Sequence, residues 1–143
     1  MRRTGLLQWK AYRTLEAFHN PILAKYRTTH TEWKLLELVH DEGELRVTEI
    51  AGKLAVRTPL ITRTLKTLLY KKNIVIGKHS RDRRVKCVDI TVKGKKRLAQ
   101  IEKDIQKILG RILRGIPSKK IEVYKEVLTG IVRNGKSLGK KPS

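Results

Sequence analysis

The chain has 143 residues, with 34 lysines and arginines against 13 aspartates and glutamates, which gives a formal net charge of +21. This length suits one domain with helical extensions, and it excludes a large second catalytic domain. The single cysteine excludes a disulfide framework, no apolar run is long enough to span a membrane, and the amino terminus shows no secretion signal. The charge calls for a polyanionic partner, of which nucleic acid is the first candidate.

The basic residues are concentrated in one part of the chain. Residues 28–56 hold three basic and six acidic residues, whereas residues 57–86 hold ten basic residues and one acidic residue, Asp82. A single exposed lysine indicates only a solvated surface, but this abrupt change of sign predicts that the partner binds residues 57–86.

Helical spacing of apolar residues predicts a first helix over about residues 6–25, which Pro21 would kink or break. Thr29 and Glu32 form a capping-box pattern that begins a second helix of about ten residues. A short extended piece then leads into a two-turn helix over residues 48–54, followed by a turn.

The fourth predicted helix begins at Pro59, with Thr58 as its N-terminal cap. One side of this helix is apolar and the other is polar and basic, and Asn73 would end it in the left-handed conformation. A strand over residues 74–76, a basic loop and a return strand over residues 85–90 would then form a hairpin.

Two helices joined by a tight turn and followed by a hairpin with a basic tip describe a winged helix-turn-helix. The second helix fits the major groove of DNA, and a basic hairpin can grip phosphate or enter the minor groove. We therefore assign DNA contact, rather than a merely solvated helix face, to the exposed residues of this unit. They are Arg57, Thr58, Pro59, Thr62, Arg63, Lys66, Lys78, Arg81, Arg83 and Arg84.

A long helix capped by Thr91 carries apolar residues at intervals of three and four, the spacing of a coiled-coil seam, and Pro117 separates it from a last helix. Such a seam needs a partner, which we expect to be a second copy of the chain. The predicted dimerisation residues are Leu98, Ile101, Ile105, Ile108, Ile112, Ile121, Tyr124 and Leu128. Residues 134–143 are predicted to form a flexible basic tail.

Four short motifs are more specific than these patterns. They are Thr29–Trp33 with Leu36, Thr48-Glu49-Ile50-Ala51 with Leu54, Thr62-Arg63 with Leu65, and Asp82-Arg83-Arg84 followed by Val88-Asp89-Ile90-Thr91 and Gly94. Through these motifs the chain resembles, from about Thr14 to Arg133, the MarR family of bacterial and archaeal transcription regulators. The family often has serine at Pro59 and glycine at Asn73, and neither difference threatens the fold.

The resemblance implies an obligate homodimer, with helices from both chain ends knitted together and two winged domains on one duplex. It also implies that Asp82 orients an arginine that reaches the minor groove, for which we choose Arg83, with Arg84 as the structural partner of Asp82. A simple surface ion pair is the alternative. Base preference cannot be copied from relatives, because the apolar Leu60 lies near the front of the recognition helix.

The predicted fold is mainly α-helical with a small β-hairpin wing. Residues 28–91 would form the winged helix-turn-helix DNA-binding domain, and residues 1–27 and 92–133 a helical dimerisation region. The predicted function is sequence-specific regulation of transcription in the cytoplasm, at the nucleoid, by a homodimeric repressor that reads a pseudo-palindromic operator in double-stranded DNA. The alternatives are an architectural protein that coats DNA with little specificity and, less favoured, an RNA-associated protein.

No catalytic motif, phosphate-binding loop or metal-ligand spacing stands out, so we expect neither an enzyme nor a metal or cofactor site. Cys87 is expected to be a small strand residue rather than a redox sensor. Whether a small-molecule effector binds is left open. Members of the family bind phenolic compounds in a cleft, and five aromatic residues of this chain would either line such a cleft or be ordinary core residues. They are Trp9, Tyr12, Phe18, Tyr26 and Trp33.

Overall fold

Six helices and three short strands make up the part of the chain that the computed structural model describes, residues 2–78 and 81–139. The elements are α1 (Arg2–Lys25), α2 (His30–Glu42), β1 (Leu45–Arg46), α3 (Val47–Leu54), α4 (Thr58–Tyr70), β2 (Ile74–Lys78), β3 (Lys86–Ile90), α5 (Val92–Ile112) and α6 (Ser118–Ser137). The predicted fold class, mainly helical with a small β wing, is confirmed.

The strands form one antiparallel sheet in the order β1-β3-β2. The hairpin of β2 and β3 pairs from Ile74 opposite Ile90 at its base to Lys78 opposite Lys86 near its tip. Since β1 leads directly into α3 and also pairs with β3, the sheet ties the helix-turn-helix to the wing.

A single hydrophobic core packs between the helices and the sheet. Helix α2 supplies Leu35, Leu36 and Val39, whose spacing places them on one side of the helix, where they are fully buried. The other members of the core are Leu23, Trp33, Leu45, Ile50, Ile61, Leu65, Leu68, Ile74, Val88, Ile90, Leu98, Ile101 and Ile105. The core therefore buries the inner side of α4 and fixes it relative to α2 and α5.

Two predicted helix caps are present. The Thr29 hydroxyl accepts the Glu32 backbone N–H at 3.1 Å, while the Glu32 carboxylate accepts the Thr29 N–H at 2.7 Å, so both halves of the capping box form. The Thr91 hydroxyl accepts the Gly94 N–H at 3.0 Å at the start of α5. These caps could be predicted from local sequence, because all the groups that form a cap lie within four residues of one another.

The seam on α5 was assigned to the wrong partner in part. Leu98, Ile101 and Ile105 are buried in the core of their own chain, against α1 and α2, so they cannot form a contact between subunits. A spacing of three and four shows that one side of a helix is covered, and a neighbouring helix of the same chain covers it equally well. The other five predicted dimerisation residues are half-buried or exposed: Ile108, Ile112, Ile121, Tyr124 and Leu128.

Several predicted ends also differ. Helix α1 continues through Pro21 to Lys25 without a break, because Leu23 holds its last turn in the core. Helix α6 continues to Ser137, so the first four residues of the predicted tail are helical. Residues 140–143 of that tail, and residues 79 and 80 of the predicted basic loop, lie outside the described residues.

The ends of α4 differ by one residue from the prediction. The N-terminal cap is Arg57, and Thr58 is already helical. At the other end, the left-handed residue is Lys72 (φ 62°), whereas Asn73 is buried and its carbonyl oxygen accepts the Thr91 N–H. This contact between elements could not be predicted from local propensity.

No helix within the described ranges has the length and apolar character needed to cross a membrane.

Candidate nucleic-acid interface

The outer side of α4 presents one continuous ridge. Core residues cover the inner side, and at about 100° of rotation per residue four side chains fall on the opposite side. We call them the recognition ridge: Pro59, Arg63, Lys66 and Tyr70, all exposed. A helix with this outer side exposed can enter the major groove and present hydrogen-bond donors to base edges.

Tyr70 was not among the predicted contact residues. Its side chain is 89% exposed and lies at the C-terminal end of the recognition ridge. The spacing of four residues from Lys66 and seven from Arg63 is the signal that would have found it. A phenol there can donate a hydrogen bond to a phosphate oxygen at the edge of a groove.

Thr62, one of the two threonines predicted to contact DNA, has a narrower role than its residue type suggests. Thr62 donates its hydroxyl to the Thr58 carbonyl at 3.1 Å, and Thr67 and Thr64 make the same bond one turn back along α4. Thr62 is exposed, but its hydroxyl proton is used within the helix. It can therefore offer a base an acceptor oxygen or a methyl group rather than a donor.

The wing carries the second group of predicted contacts. Lys78, Arg81, Arg83 and Arg84 are all exposed around the hairpin. They lie near its tip, about 13 Å from the base of the ladder at about 3.3 Å per residue. Because β2 packs against α4, the wing and the recognition ridge belong to neighbouring elements rather than to one cluster of side chains.

Asp82 organises the turn at the tip. Its carboxylate accepts the Arg84 backbone N–H at 3.0 Å and the Arg84 Nε–H at 3.2 Å, while its carbonyl accepts the Val85 N–H at 3.1 Å. Arg83 makes no hydrogen bond or ion pair with any residue within 2–78 and 81–139. The ion pair thus uses Arg84 and leaves the Arg83 guanidinium available.

A buried ion pair fixes the far end of α4. The Glu32 side chain is 3% exposed, and its carboxylate lies 2.7 Å from Lys71 Nζ just beyond α4. Lys71 Nζ also donates to the Arg27 carbonyl in the turn between α1 and α2. The sequence assigned Glu32 only to the capping box. Its second oxygen links the recognition helix to the start of α2, a contact across 39 residues that no local pattern indicates.

The same end of α4 is joined to the start of α5. The Thr91 backbone N–H donates to the Asn73 carbonyl at 3.1 Å, and the Thr91 hydroxyl donates to the Lys72 carbonyl at 2.7 Å. Gly94 lies so close that a Cβ atom there would be 2.1 Å from the Asn73 carbonyl oxygen. The orientation of the recognition helix relative to α5 is therefore set by backbone contacts.

The aromatic residues divide between core and surface. Trp33 is 3% exposed and packs edge-on to His19 with ring centroids 5.2 Å apart. Burial lowers the pKa of His19 and of His30 beside it, which keeps both rings neutral near pH 7. Trp33 is thus a core residue, and the half-buried Tyr26 packs against the core. Three aromatic residues of α1 remain exposed: Trp9, Tyr12 and Phe18.

Cys87 lies on β3 and is 3% exposed. Burial raises the pKa of its thiol, so little thiolate forms near neutral pH, which fits a small strand residue. Within residues 2–78 and 81–139, no group of three or more histidine, cysteine, aspartate or glutamate side chains is placed to hold a metal ion.

Known proteins share this arrangement. The sequence model of the MarR family matches residues 28–86. The transcriptional regulator MhqR of Bacillus subtilis is 26% identical over 132 residues, which cover 92% of this chain and 91% of the relative. FarR of Neisseria gonorrhoeae is 25% identical over 130 residues, covering 90% and 87%.

Solved structures show the same fold. MarR of Staphylococcus aureus, in complex with salicylate and kanamycin, superposes with a TM-score of 0.80 at 21% identity, covering 97% of this chain and 93% of that one. CouR of Rhodococcus jostii, bound to p-coumaroyl-CoA, gives a TM-score of 0.83 at 18% identity, covering 90% and 91%. The winged helix-turn-helix and both terminal helical regions are therefore matched over nearly their whole length.

Proposed function

Because the chain belongs to the MarR family of transcriptional regulators, we propose that it is a homodimeric repressor that reads a pseudo-palindromic operator in double-stranded DNA. The observation that carries the proposal is the recognition ridge, an exposed basic side of α4 next to a wing with a basic tip. The ridge would read bases in the major groove, and the wing would hold phosphate or the minor groove. No catalytic step is assigned to the chain. We propose that it acts in the cytoplasm, at the nucleoid, where chromosomal DNA lies.

The apolar surface of the terminal helices supports the homodimer. Helix α6 buries none of its residues in its own chain, and α1 and α6 both expose large apolar side chains. Water-exposed apolar surface on this scale marks an interface. The exposed residues are Leu6, Leu7, Trp9, Tyr12 and Phe18 on α1, and Val123, Tyr124, Val127, Ile131 and Val132 on α6.

A cleft between α6 and the helix-turn-helix supports the same proposal. It has a volume of about 700 Å³ and is lined on one side by Ala51 and Val56 and on the other by Ile131 and Val132. Apolar walls facing each other across such a gap favour an apolar segment between them. We propose that the second copy covers these walls.

We also propose that a small-molecule effector regulates the protein, since the two neighbouring structures named above hold small molecules.

Selection of bound duplexes from a random library tests the function directly. It should be done at about 0.15 M salt, because the affinity of a basic protein for DNA depends strongly on salt. We expect a two-fold symmetric motif whose half-sites lie about 10 bp apart, one helical turn of DNA. Tight binding without enrichment of any sequence would contradict the proposal and would favour an architectural protein that coats DNA.

Arg63→Ala should lower operator affinity about 5- to 150-fold, the effect of losing about 1–3 kcal/mol of base readout, while binding to random DNA changes much less. Fluorescence anisotropy with operator and scrambled duplexes measures both. The matched control is Arg114→Ala, which removes the same charge from an exposed residue between α5 and α6. Equal losses on both duplexes would show that Arg63 contacts phosphate rather than bases.

Asp82→Ala should weaken operator binding several-fold, although it removes a negative charge from a DNA-binding surface. The reason is that Asp82 holds Arg84 and the turn at the wing tip. Asp89→Ala is the control, since it removes an exposed carboxylate from β3, away from the tip. If Asp82→Ala bound DNA more tightly, as the loss of one repulsive charge alone predicts, Asp82 would have no orienting role.

A further inference from the structure

A row of basic residues runs along α5 beside its buried side. At about 100° of rotation per residue, Lys93, Arg97, Lys107 and Arg111 lie within about a quarter turn of one another. At about 1.5 Å of rise per residue the row is about 27 Å long. We call these four residues, together with Lys25 of α1, the α5 basic stripe. The proposed function does not use it.

Helix α1 brings the fifth member onto the stripe. Lys25, Lys107 and Arg111 line one groove between α1 and α5, with a volume of about 360 Å³. Lys25 Nζ lies 5.1 Å from the centroid of the Tyr26 ring, and the guanidinium carbon of Arg97 lies 5.2 Å from the same centroid. Cation–π contacts with one ring therefore hold two of the five charges in place.

One carboxylate partly offsets this charge. Asp104 accepts hydrogen bonds from the Tyr26 hydroxyl at 2.7 Å and from Lys25 Nζ at 3.0 Å. These hydrogen bonds lower the pKa of Asp104 and keep it ionised near neutral pH, with the larger contribution from Tyr26 and the smaller from Lys25. Five basic residues against this one acidic residue leave a net charge of four on the stripe.

The stripe starts beside the C-terminal end of α4 and follows α5. It begins where the recognition helix ends, because Lys93 Nζ donates to the Lys71 carbonyl at 2.8 Å. From there α5 continues for the full length of the stripe to Arg111. Arg111 lies about 27 Å along α5 from Lys93, which is about three Debye lengths of about 8 Å at physiological salt.

We propose that the α5 basic stripe binds the phosphate backbone of a second DNA duplex, so that one operator-bound dimer bridges two DNA segments. The proposal rests on the proposed function, since the recognition ridge holds the first duplex. Lysine and arginine on phosphate give affinity without sequence preference, so the second duplex can have any sequence. A dimer anchored at its operator would also meet neighbouring DNA at high effective concentration.

A bridging assay tests the proposal. Operator duplex on beads is loaded with the full-length protein at about 0.15 M salt, and the capture of a fluorescent random-sequence duplex is measured. Lys107→Glu combined with Arg111→Glu should lower capture about tenfold or more, since it reverses two charges of the stripe. Retention of the protein on the operator beads should change less than about twofold. Lys119→Glu with Lys120→Glu, which makes the same charge change at exposed residues of α6, should leave capture unchanged.

Each outcome decides the proposal. It is overturned if the stripe variant captures the second duplex as well as the wild type does, if the wild type captures none, or if an RNA duplex is captured in preference to DNA. Equal losses of bead retention and of capture would assign the stripe to the first duplex and overturn it as well. If the wild type is not retained on operator beads, the proposed function fails, and bridging between two random duplexes then tests the stripe alone. Light scattering of Lys107→Gln with Arg111→Gln checks that the dimer is intact, and this milder variant should also lose capture.

Discussion

Gly94→Ala should lower the free energy of unfolding by about 3 kcal/mol, the upper part of the range for overpacking a close contact. An alanine Cβ at this position would lie 2.1 Å from the Asn73 carbonyl oxygen and 2.8 Å from Ile90 Cγ1. The first of these atoms belongs to the backbone and accepts the Thr91 N–H, so it cannot move aside without opening the joint between α4 and α5. The loss should therefore extend to operator binding, because that joint orients the recognition helix.

Gly110→Ala is the matched control for this substitution. Gly110 is exposed inside α5, and apart from the backbone of its own helix no atom lies within 4 Å of the Cβ that alanine would add. Alanine there should raise the free energy of unfolding by about 0.5–1 kcal/mol, since glycine is the poorer helix former. Urea unfolding at one fixed protein concentration compares the two, because the stability of the proposed dimer depends on protein concentration. A Gly94→Ala protein as stable as Gly110→Ala would show that the joint is not tight.

Glu32→Ala should lower the free energy of unfolding by about 3 kcal/mol. The change removes the acceptor of the Thr29 backbone N–H and leaves Lys71 without its carboxylate partner. Because the Lys71 side chain is 29% exposed, water can partly solvate the freed ammonium group, which keeps the cost at the lower end for a broken buried pair.

Glu37→Ala on the same helix is the control for Glu32→Ala. Its carboxylate pairs with Lys34 at 3.1 Å, but both side chains are partly exposed, and such pairs contribute about 0–1 kcal/mol. Glu32→Gln should fall between the two, since an amide oxygen can still accept the Thr29 N–H but carries no charge for Lys71. Urea midpoints at pH 7 rank the three proteins. Equal midpoints for Glu32→Ala and Glu37→Ala would show that the buried pair adds nothing to stability.

The helix-turn-helix and the wing could be predicted because their signals are local. Thr29 with Glu32 and Thr91 with Gly94 complete caps within four residues, and the hairpin lies within 17 residues of chain. Binary patterning then places the inner side of α4 in the core and leaves Arg63 outside. The ion pair between Asp82 and Arg84 spans only two residues, but it was expected from the family resemblance rather than from a local pattern.

The helix that covers the apolar side of α5 could not be predicted, because a pattern of apolar residues does not identify its partner. The spacing of the apolar residues of α5 predicts that one side of the helix is covered. The structure shows that α1 and α2 of the same chain cover the first half of that side. Exposed apolar residues on α1 and α6 support the interface at the two chain ends that the resemblance implied. Tyr70 was not among the predicted DNA contacts, although its spacing from Arg63 and Lys66 places it on the same side of α4.

The sequence by itself determined the order of the elements, the sign of the recognition surface and the caps of α2 and α5, since these depend on periodicity, charge and neighbours within four residues. The tertiary structure alone decided how the recognition helix is held. The C-terminal end of α4 is held by Glu32, which lies 39 residues before Lys71 in the sequence. It is also held by Thr91 and by the close approach of Gly94, about 20 residues after the end of the helix. Such contacts form only after the chain has folded back on itself, and no local preference records them.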